Sequence, residues 1–320
     1  MKTLKWIKGA LFSCAILMLG ACNNDSEPMG KGEAEFEITD ASIDDANIES
    51  VVVTIADIKV NGNSLPGFTK QTIDLKAYFD GSTKVLGKGE FDARTYENLV
   101  LVLDLDNDAN GDSPGCYVLN QNNTKYKLKS TTTGTIEIPI NKSWKVEKNT
   151  KTSMVMDFDL RKAIRYSDDP SVAYSFVSDN NLQAAIQVVA KAKTGTIKGS
   201  YQEDTNSNAD KIIVYAYKKG TFNANIETQP QGVDNILFAN ARSSAEVKES
   251  LSGILYTLAF LEEGEYELHF AAYTRDTSTG RYHFEARLQS ETDVDGSVGN
   301  LITVKSGVTI NVSSTIKGII

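Results

Sequence analysis

Oxygen-bearing side chains recur at alternate positions in "DLDNDANGDSPG": Asp104, Asp106, Asp108, Asn110 and Asp112. Closely spaced carboxylates and amides are the ligands that a hard cation such as calcium takes. Asp106, Asp108, Asn110 and Gly111 stand at places one, three, five and six of a helix-flanked calcium loop, and Asp106, Asp108, Asn110 and Asp112 form the candidate calcium set. Place twelve, where a bidentate Glu closes the shell, is Tyr117, and the preceding "NLVLVLDL" alternates as a strand. Calcium held here would be held weakly. An acidic hairpin tip, closed by Asn110–Gly111 and Ser113–Pro114–Gly115, accounts for more of the segment.

A carboxylate pair in "MVMDFDL" poses a different chemistry. Asp157 and Asp159 share one strand face, while Met156, Phe158 and Leu160 share the other. Two carboxyl groups about 5–9 Å apart serve glycoside hydrolysis, and alternate strand residues reach that spacing. Asp159 also precedes "LRKAIR", where an aspartate caps a turn, and this is its expected role. Asp40, Asp44 and Asp45 in "TDASIDDAN" read as turn formers, with loop-borne recognition as the alternative. His269 and His283 are the only histidines; "HFE" aligns His283 with Glu285, short of the four ligands zinc needs. Cys116 has no histidine near it in sequence and reads as a buried, inert thiol. The letters Gly-x-Ser-x-Gly occur at Gly111–Gly115, but within the acidic turn and not as a strand-to-helix elbow, and no Gly-rich loop precedes a basic helix start. No catalytic residue or cofactor is assigned, and the chain is not expected to be an enzyme.

The elements around these residues are strands. "AEFEITDA" sets Ala34, Phe36 and Ile38 against acidic neighbours, and "IESVVVTIADIKV", "YENLVLVLDLD", "YKLKS", "GTIEIPI" and "TSMVMDFDL" continue the pattern between turn-rich joints. Only "DLRKAIRYS" and "ANARSSAEVKESLS" suggest short helices, whereas "NLQAAIQVVAKA" reads as a strand. A second unit starts near "AKAKTGTIKG". In it Tyr266, Leu268 and Phe270 alternate with Glu265, Glu267 and His269, as in a sheet with one wet face. Tyr215, Tyr217, Tyr256, Tyr266, Tyr273 and Tyr282 crowd this unit; aromatic residues at strand ends can stack on sugars, but their spacing suits core and cross-strand pairs. The fold class is mainly β, two β-sandwich-like domains with few short helices.

The N-terminus gives an address. Lys2, Lys5 and Lys8 precede the uncharged run Ala10 to Gly20, the form of a secretory signal peptide and too short to span a bilayer. Leu19–Gly20–Ala21–Cys22 resembles the lipobox of bacterial lipoproteins, in which cleavage before the cysteine is followed by its acylation; Cys22 is the lipidation residue. Several acyl chains together hold a protein firmly to a membrane. The polar "NNDSEPMGKGE" that follows reads as a tether, and Asp25 and Glu27 resemble acidic signals for export to the cell surface. Loss of the signal removes three lysines and moves the formal charge from −9 to −12. Cys14 leaves with it and Cys22 is acylated, so Cys116 has no partner for an intramolecular disulfide. Acidity disfavours nucleic acid as a partner.

"EITDASIDDANIESVVVTIADIKV", "YENLVLVL", "MVMDFDLRKAI" and "LQAAIQVVAKAKTGTIKG" resemble an uncharacterised family of bacterial lipoprotein domains, domain of unknown function forty-three eighty-two. That family usually places Pro after Thr-Asp-Ala, where this chain has Ser42. "GTIKGSY", "KIIVYAY" and "YTLAFLEEGEYEL" are similar to the transthyretin-like or carboxypeptidase-regulatory-like β-sandwich. Neither resemblance implies a catalytic activity, and both imply a setting in the cell envelope. The expected organisation is a signal peptide over 1–21, a tether over 22–31, a β-rich domain over 32–195 and a sandwich over 196–320. The expected protein is a lipid-anchored outer-membrane lipoprotein of a Gram-negative cell, facing outward. It binds the membrane through acylated Cys22 and acts as a binding or adhesive accessory with a glycan or protein ligand. The alternatives are a structural lipoprotein facing the periplasm and an unrecognised hydrolase using Asp157 and Asp159.

Overall fold

The computed structural model describes residues 30–41, 46–167 and 173–320. Cys22, Asp25 and Glu27, and likewise Asp44 and Asp45, lie outside the described residues. No helix among those described is long and apolar enough to cross a membrane.

The first unit packs two sheets around one core. In the four-stranded sheet, Lys151–Asp159 lies between Ile186–Ala190 and Lys31–Ala41, and Lys84–Asp92 forms the other edge. The pairing of Lys31–Ala41 with Lys151–Asp159 is parallel and sets Thr39 beside Asp157. In the facing seven-stranded sheet, Thr95–Asp104 joins Ile48–Val60 to Thr135–Lys145. Alternation buries Phe36, Ile38, Met156 and Phe158 from one sheet against Ile55, Leu99, Leu101 and Leu103 from the other. Trp144 stacks on Tyr96 at 4.9 Å and meets Phe36 edge-on at 5.6 Å, closing one end of this core.

The second unit is one ten-stranded sheet that curls over itself. Val214, Ala216, Leu268 and Phe270 from its central strands meet Ile197, Tyr256, Leu258 and Ile316 from the strands beyond the curl. On the opposite face Ile213, Tyr215, Tyr217, Ala271 and Tyr273 are buried with Phe238 and Ala241. The wet face expected of Gly264–Arg275 is therefore wet only in part: Glu265 is exposed, while Ala271 and Tyr273 are covered. Gly199 sits under the Tyr256 ring, where a Cβ would collide with it, and the Tyr256 hydroxyl lies 2.8 Å from Ser314 Oγ. Both sheet systems fit β-sandwich-like domains.

Local propensity misleads at two places and holds at a third. "ANARSSAEVKESLS" contains the strands Ser243–Glu246 and Lys248–Ser250 rather than a helix, because Ser243–Glu246 completes the edge beside Lys211–Lys218. "NLQAAIQVVAKA" starts in the helix Asp179–Ala185, whose Leu182 and Ala185 are buried, and turns to strand only at Ile186. "DLRKAIRYS" keeps one helical turn, Leu160–Ala163, before the strand Ile164–Tyr166.

Candidate functional site

The face of Lys151–Asp159 that carries both acids is not wet. The second unit covers it. Asp159 stands at the N-cap position of Leu160–Ala163, but its carboxylate is taken by Arg161 and Lys162, each at 3.3 Å. These two cations reach across the junction: Arg161 donates to the carbonyls of Leu237 and Phe238, and Lys162 donates to that of Ala241 at 2.8 Å. The guanidinium also lies 5.1 Å from the centre of the Tyr215 ring, against whose plane Phe238 stacks at 4.1 Å. Burial raises the Asp159 pKa, but Arg161 and Lys162 outweigh it and hold the carboxyl below its ordinary value. Desolvation pulls Lys162 down, opposed by Asp159. A buried ion set of this kind is costly to break at one member.

Asp157 has a different fate. It is half-buried and lines a crevice between the units with Thr39, Asp40 and Asp80 on one side and Ser243 and Ser244 on the other. Burial first, and the Asp159 charge second, push its pKa up to about 7. Asp80 in the same crevice is raised by burial. Two neighbouring acids with pKa values driven apart are the mark of acid–base pairs, but this crevice has a volume of about 20 Å³. That admits about one water molecule and no sugar ring, and Asp159 does not line it. The Ser244 hydroxyl is buried there without a protein partner.

Further contacts tie the units together. Glu262 of the second unit is bound by Lys142 of the first at 2.5 Å and by its own Arg242 at 3.1 Å. Asp234 accepts from the Ser178 amide and hydroxyl and pairs with Arg165 at 2.9 Å. Asn47 donates to Thr279 O at 2.5 Å, and Arg281 to Ser167 O at 3.1 Å. Within the second unit, Glu227 is buried and accepts from Tyr217 at 2.7 Å and from Asn240. Of these partners only Tyr217 was singled out from sequence, as one of the crowded tyrosines. At the junction itself only Asp159 was legible, as the residue before "LRKAIR".

The remaining candidates are placed as follows. Asp104 takes Lys70 at 2.7 Å and the amides of Asp106 and Asn107; Asp106 takes Lys127 at 2.7 Å. Asp108 accepts the amides of Asn110 and Asp112, and these bonds hold its carboxyl below the ordinary range. The turn is thus tied by its own backbone and two lysines. Among the described residues, no group of three or more His, Cys, Asp or Glu side chains is arranged to hold a metal ion. Cys116 is buried, its thiol donates to Asp104 O, and burial pushes its pKa up to about 12. His269 stacks on Phe222 at 3.6 Å and is pushed down to about 4 by burial; His283 and Glu285 are exposed. Tyr215, Tyr217, Tyr256, Tyr266 and Tyr273 are buried, and only Tyr282 of that set is half-exposed.

Fold and junction together define a two-unit, mainly β protein whose strongest polar cluster fastens one unit to the other. Residues 31–178 match the model of the family described as Domain of unknown function (DUF4382), which is consistent with a first domain of that family. No curated protein matches the chain. Among solved structures, the Bacillus anthracis TIE protein overlaps 90% of this chain at 11% identity and a TM-score of 0.18, and the chain spans only 34% of its length. The major pilin protein (T-13) of Streptococcus pyogenes overlaps 90% of this chain and 98% of its own at 10% identity and a TM-score of 0.19. The minor pilin GBS52 of Streptococcus agalactiae gives 90% and 97% at 12% identity and a TM-score of 0.21. Overlaps this loose carry no statement about fold or function.

Proposed function

We propose that this chain is a non-catalytic binding or adhesive accessory of the cell envelope. In this reading acylated Cys22 anchors it in the outer membrane, and the polar tether carries the two units outward from the cell. The observation that supports the non-catalytic part is the fate of Asp157 and Asp159: one is consumed by the junction clamp, and the other faces space for about one water. Cys116 and the acidic turn are likewise occupied by structure. The clamp has a functional consequence, because units fastened by buried ion pairs present their outer surfaces in one fixed relation. The anchoring part rests on the segment from Lys2 to Cys22 alone.

Metabolic labelling with palmitate, followed by membrane fractionation, tests the anchor. Wild-type protein takes up label and sediments with outer membranes, whereas Cys22→Ala remains unlabelled and soluble after secretion. Label retained in Cys22→Ala rules out that attachment.

A further inference from the structure

Two clefts open along the seam between the units, and in both the lysines and arginines outnumber the carboxylates. The first, of about 400 Å³, is bounded by Lys76 and Phe79 from the first unit and by Lys211, Lys248, Arg275 and Tyr282 from the second. Its acidic lining consists of Asp40 and Glu246. The other, of about 320 Å³, draws Arg161 and Arg165 from the first unit and Arg281 and His283 from the second, against Asp234. Tyr282 lines both, so the clefts are neighbours on one seam. Seven lysines and arginines line the two clefts with three carboxylates, Arg161 being paired also with Asp159 behind the lining, in a chain whose formal charge is −9.

This inversion of sign is built into the packing. Glu246 serves two ammonium groups, Lys211 at 3.5 Å and Lys248 at 3.7 Å. Lys248 also lies 4.2 Å from the centre of the Phe79 ring, which is 41% exposed, and Lys211 lies 5.0 Å from that of Tyr282. Lys76 donates to Ile48 O; burial pulls its pKa down, Glu49 and Asp74 oppose this, and the nearby Lys211 charge adds to it. Arg275 is exposed at the mouth, 3.4 Å from Asn47 Oδ1. Clefts of this size fall in the range of small-ligand sites, roughly 300–1,000 Å³. A concave cationic wall in an acidic protein focuses its field on the anionic groups of a short ligand that enters the cleft, while the surrounding surface repels a long phosphate backbone.

We propose that the seam binds an acidic oligosaccharide, with carboxylate or sulfate groups held by Lys248, Arg275 and the cations behind them and apolar sugar faces packed on Phe79. The proposal rests on the binding-accessory reading above and names its ligand class.

Calorimetric titration of the soluble Cys22→Ala chain tests it, with hexagalacturonate as the carboxylate probe and a heparin hexasaccharide as the sulfated one. Maltohexaose is the neutral probe, and a single-stranded DNA oligonucleotide the competing polyanion. One or both acidic sugars bind, maltohexaose does not, and binding weakens between about 20 mM and about 300 mM NaCl as screening shortens the field. Lys248→Gln/Arg275→Gln weakens binding at least about tenfold, the loss expected for charge-assisted contacts. Lys193→Gln/Lys305→Gln, which removes the same charge from exposed positions outside the lining of both clefts, leaves it unchanged. Absence of heat with both acidic probes overturns the proposal. So does equal weakening by both double variants, or tighter binding of the oligonucleotide than of either sugar. Protease treatment of intact cells separates this from the parent reading: a cell-surface chain without sugar binding loses only the ligand, and a protected chain that binds sugars loses only the outward placement.

Discussion

Asp157→Asn should change stability in a way that depends on pH with a defined sign. Burial and the neighbouring Asp159 charge push the Asp157 carboxyl from 3.8 to about 7 in the fold. A carboxyl raised in this way keeps its full stability contribution below the unfolded value and loses it as pH climbs towards the folded one. A shift of this size corresponds to up to about 4 kcal/mol at 1.36 kcal/mol per pKa unit; because Asp157 is only half-buried and part of its charge is screened, about 1–3 kcal/mol is the working expectation. Asparagine imitates the protonated carboxyl without titrating. The variant and the wild type should therefore melt together near pH 4, and the variant should be the more stable above pH 7. At roughly 2 °C per kcal/mol for a chain of this size, the gap is about 2–6 °C. Asp80, raised in the same crevice, is common to both proteins, and the Asp159 charge enters only through the Asp157 shift already counted. Scanning calorimetry at intervals from pH 4 to pH 8 reads it directly. A gap that does not grow with pH, or a variant less stable at pH 7.5, would refute the reasoning.

Lys162→Met removes one cation from the Asp159 clamp and leaves a buried carboxylate short of a partner, which should cost about 3–5 kcal/mol in denaturant unfolding. Gly199→Ala drives a methyl group into the Tyr256 ring, and overpacking should cost about 1–3 kcal/mol, seen as a lower melting temperature. Cys116 should stay unreactive to a thiol reagent at pH 8 in the folded chain and react once denaturant is added, since burial holds the thiol protonated. Millimolar calcium and a chelator should give the same melting temperature, because Asp104, Asp106 and Asp108 are bound by lysines and backbone amides; a rise of several degrees with calcium would show that these carboxylates rearrange around the ion.

The period-two alternation of Phe36 and Ile38, and of Leu99, Leu101 and Leu103, made the first core legible, because a half-buried strand writes its faces into the sequence. Stretches where several good helix formers adjoin were not legible: Ala245, Glu246 and Lys248 look helical locally, and pairing with Lys211–Lys218 overrides that preference. The cap position of Asp159 was legible, but the clamp that Arg161 and Lys162 make with it was not. The clamp's acceptors are the carbonyls of Leu237, Phe238 and Ala241, and a backbone carbonyl leaves no trace in side-chain chemistry. Alternation also showed that Asp157 and Asp159 share a face; only tertiary packing shows that the second unit covers it. The basic seam was hidden for a related reason. Lys76, Lys211, Lys248 and Arg275 come from distant strands and turns, and no run of like charge announces them.

Protease treatment of intact cells tests the central claim most directly, with the chain followed by antibody and a known periplasmic protein as control. An envelope accessory that faces outward is digested while the control survives, and Cys22→Ala is lost from the cell surface. Protection of the wild-type chain in intact cells, with digestion only after lysis, would contradict the outward placement.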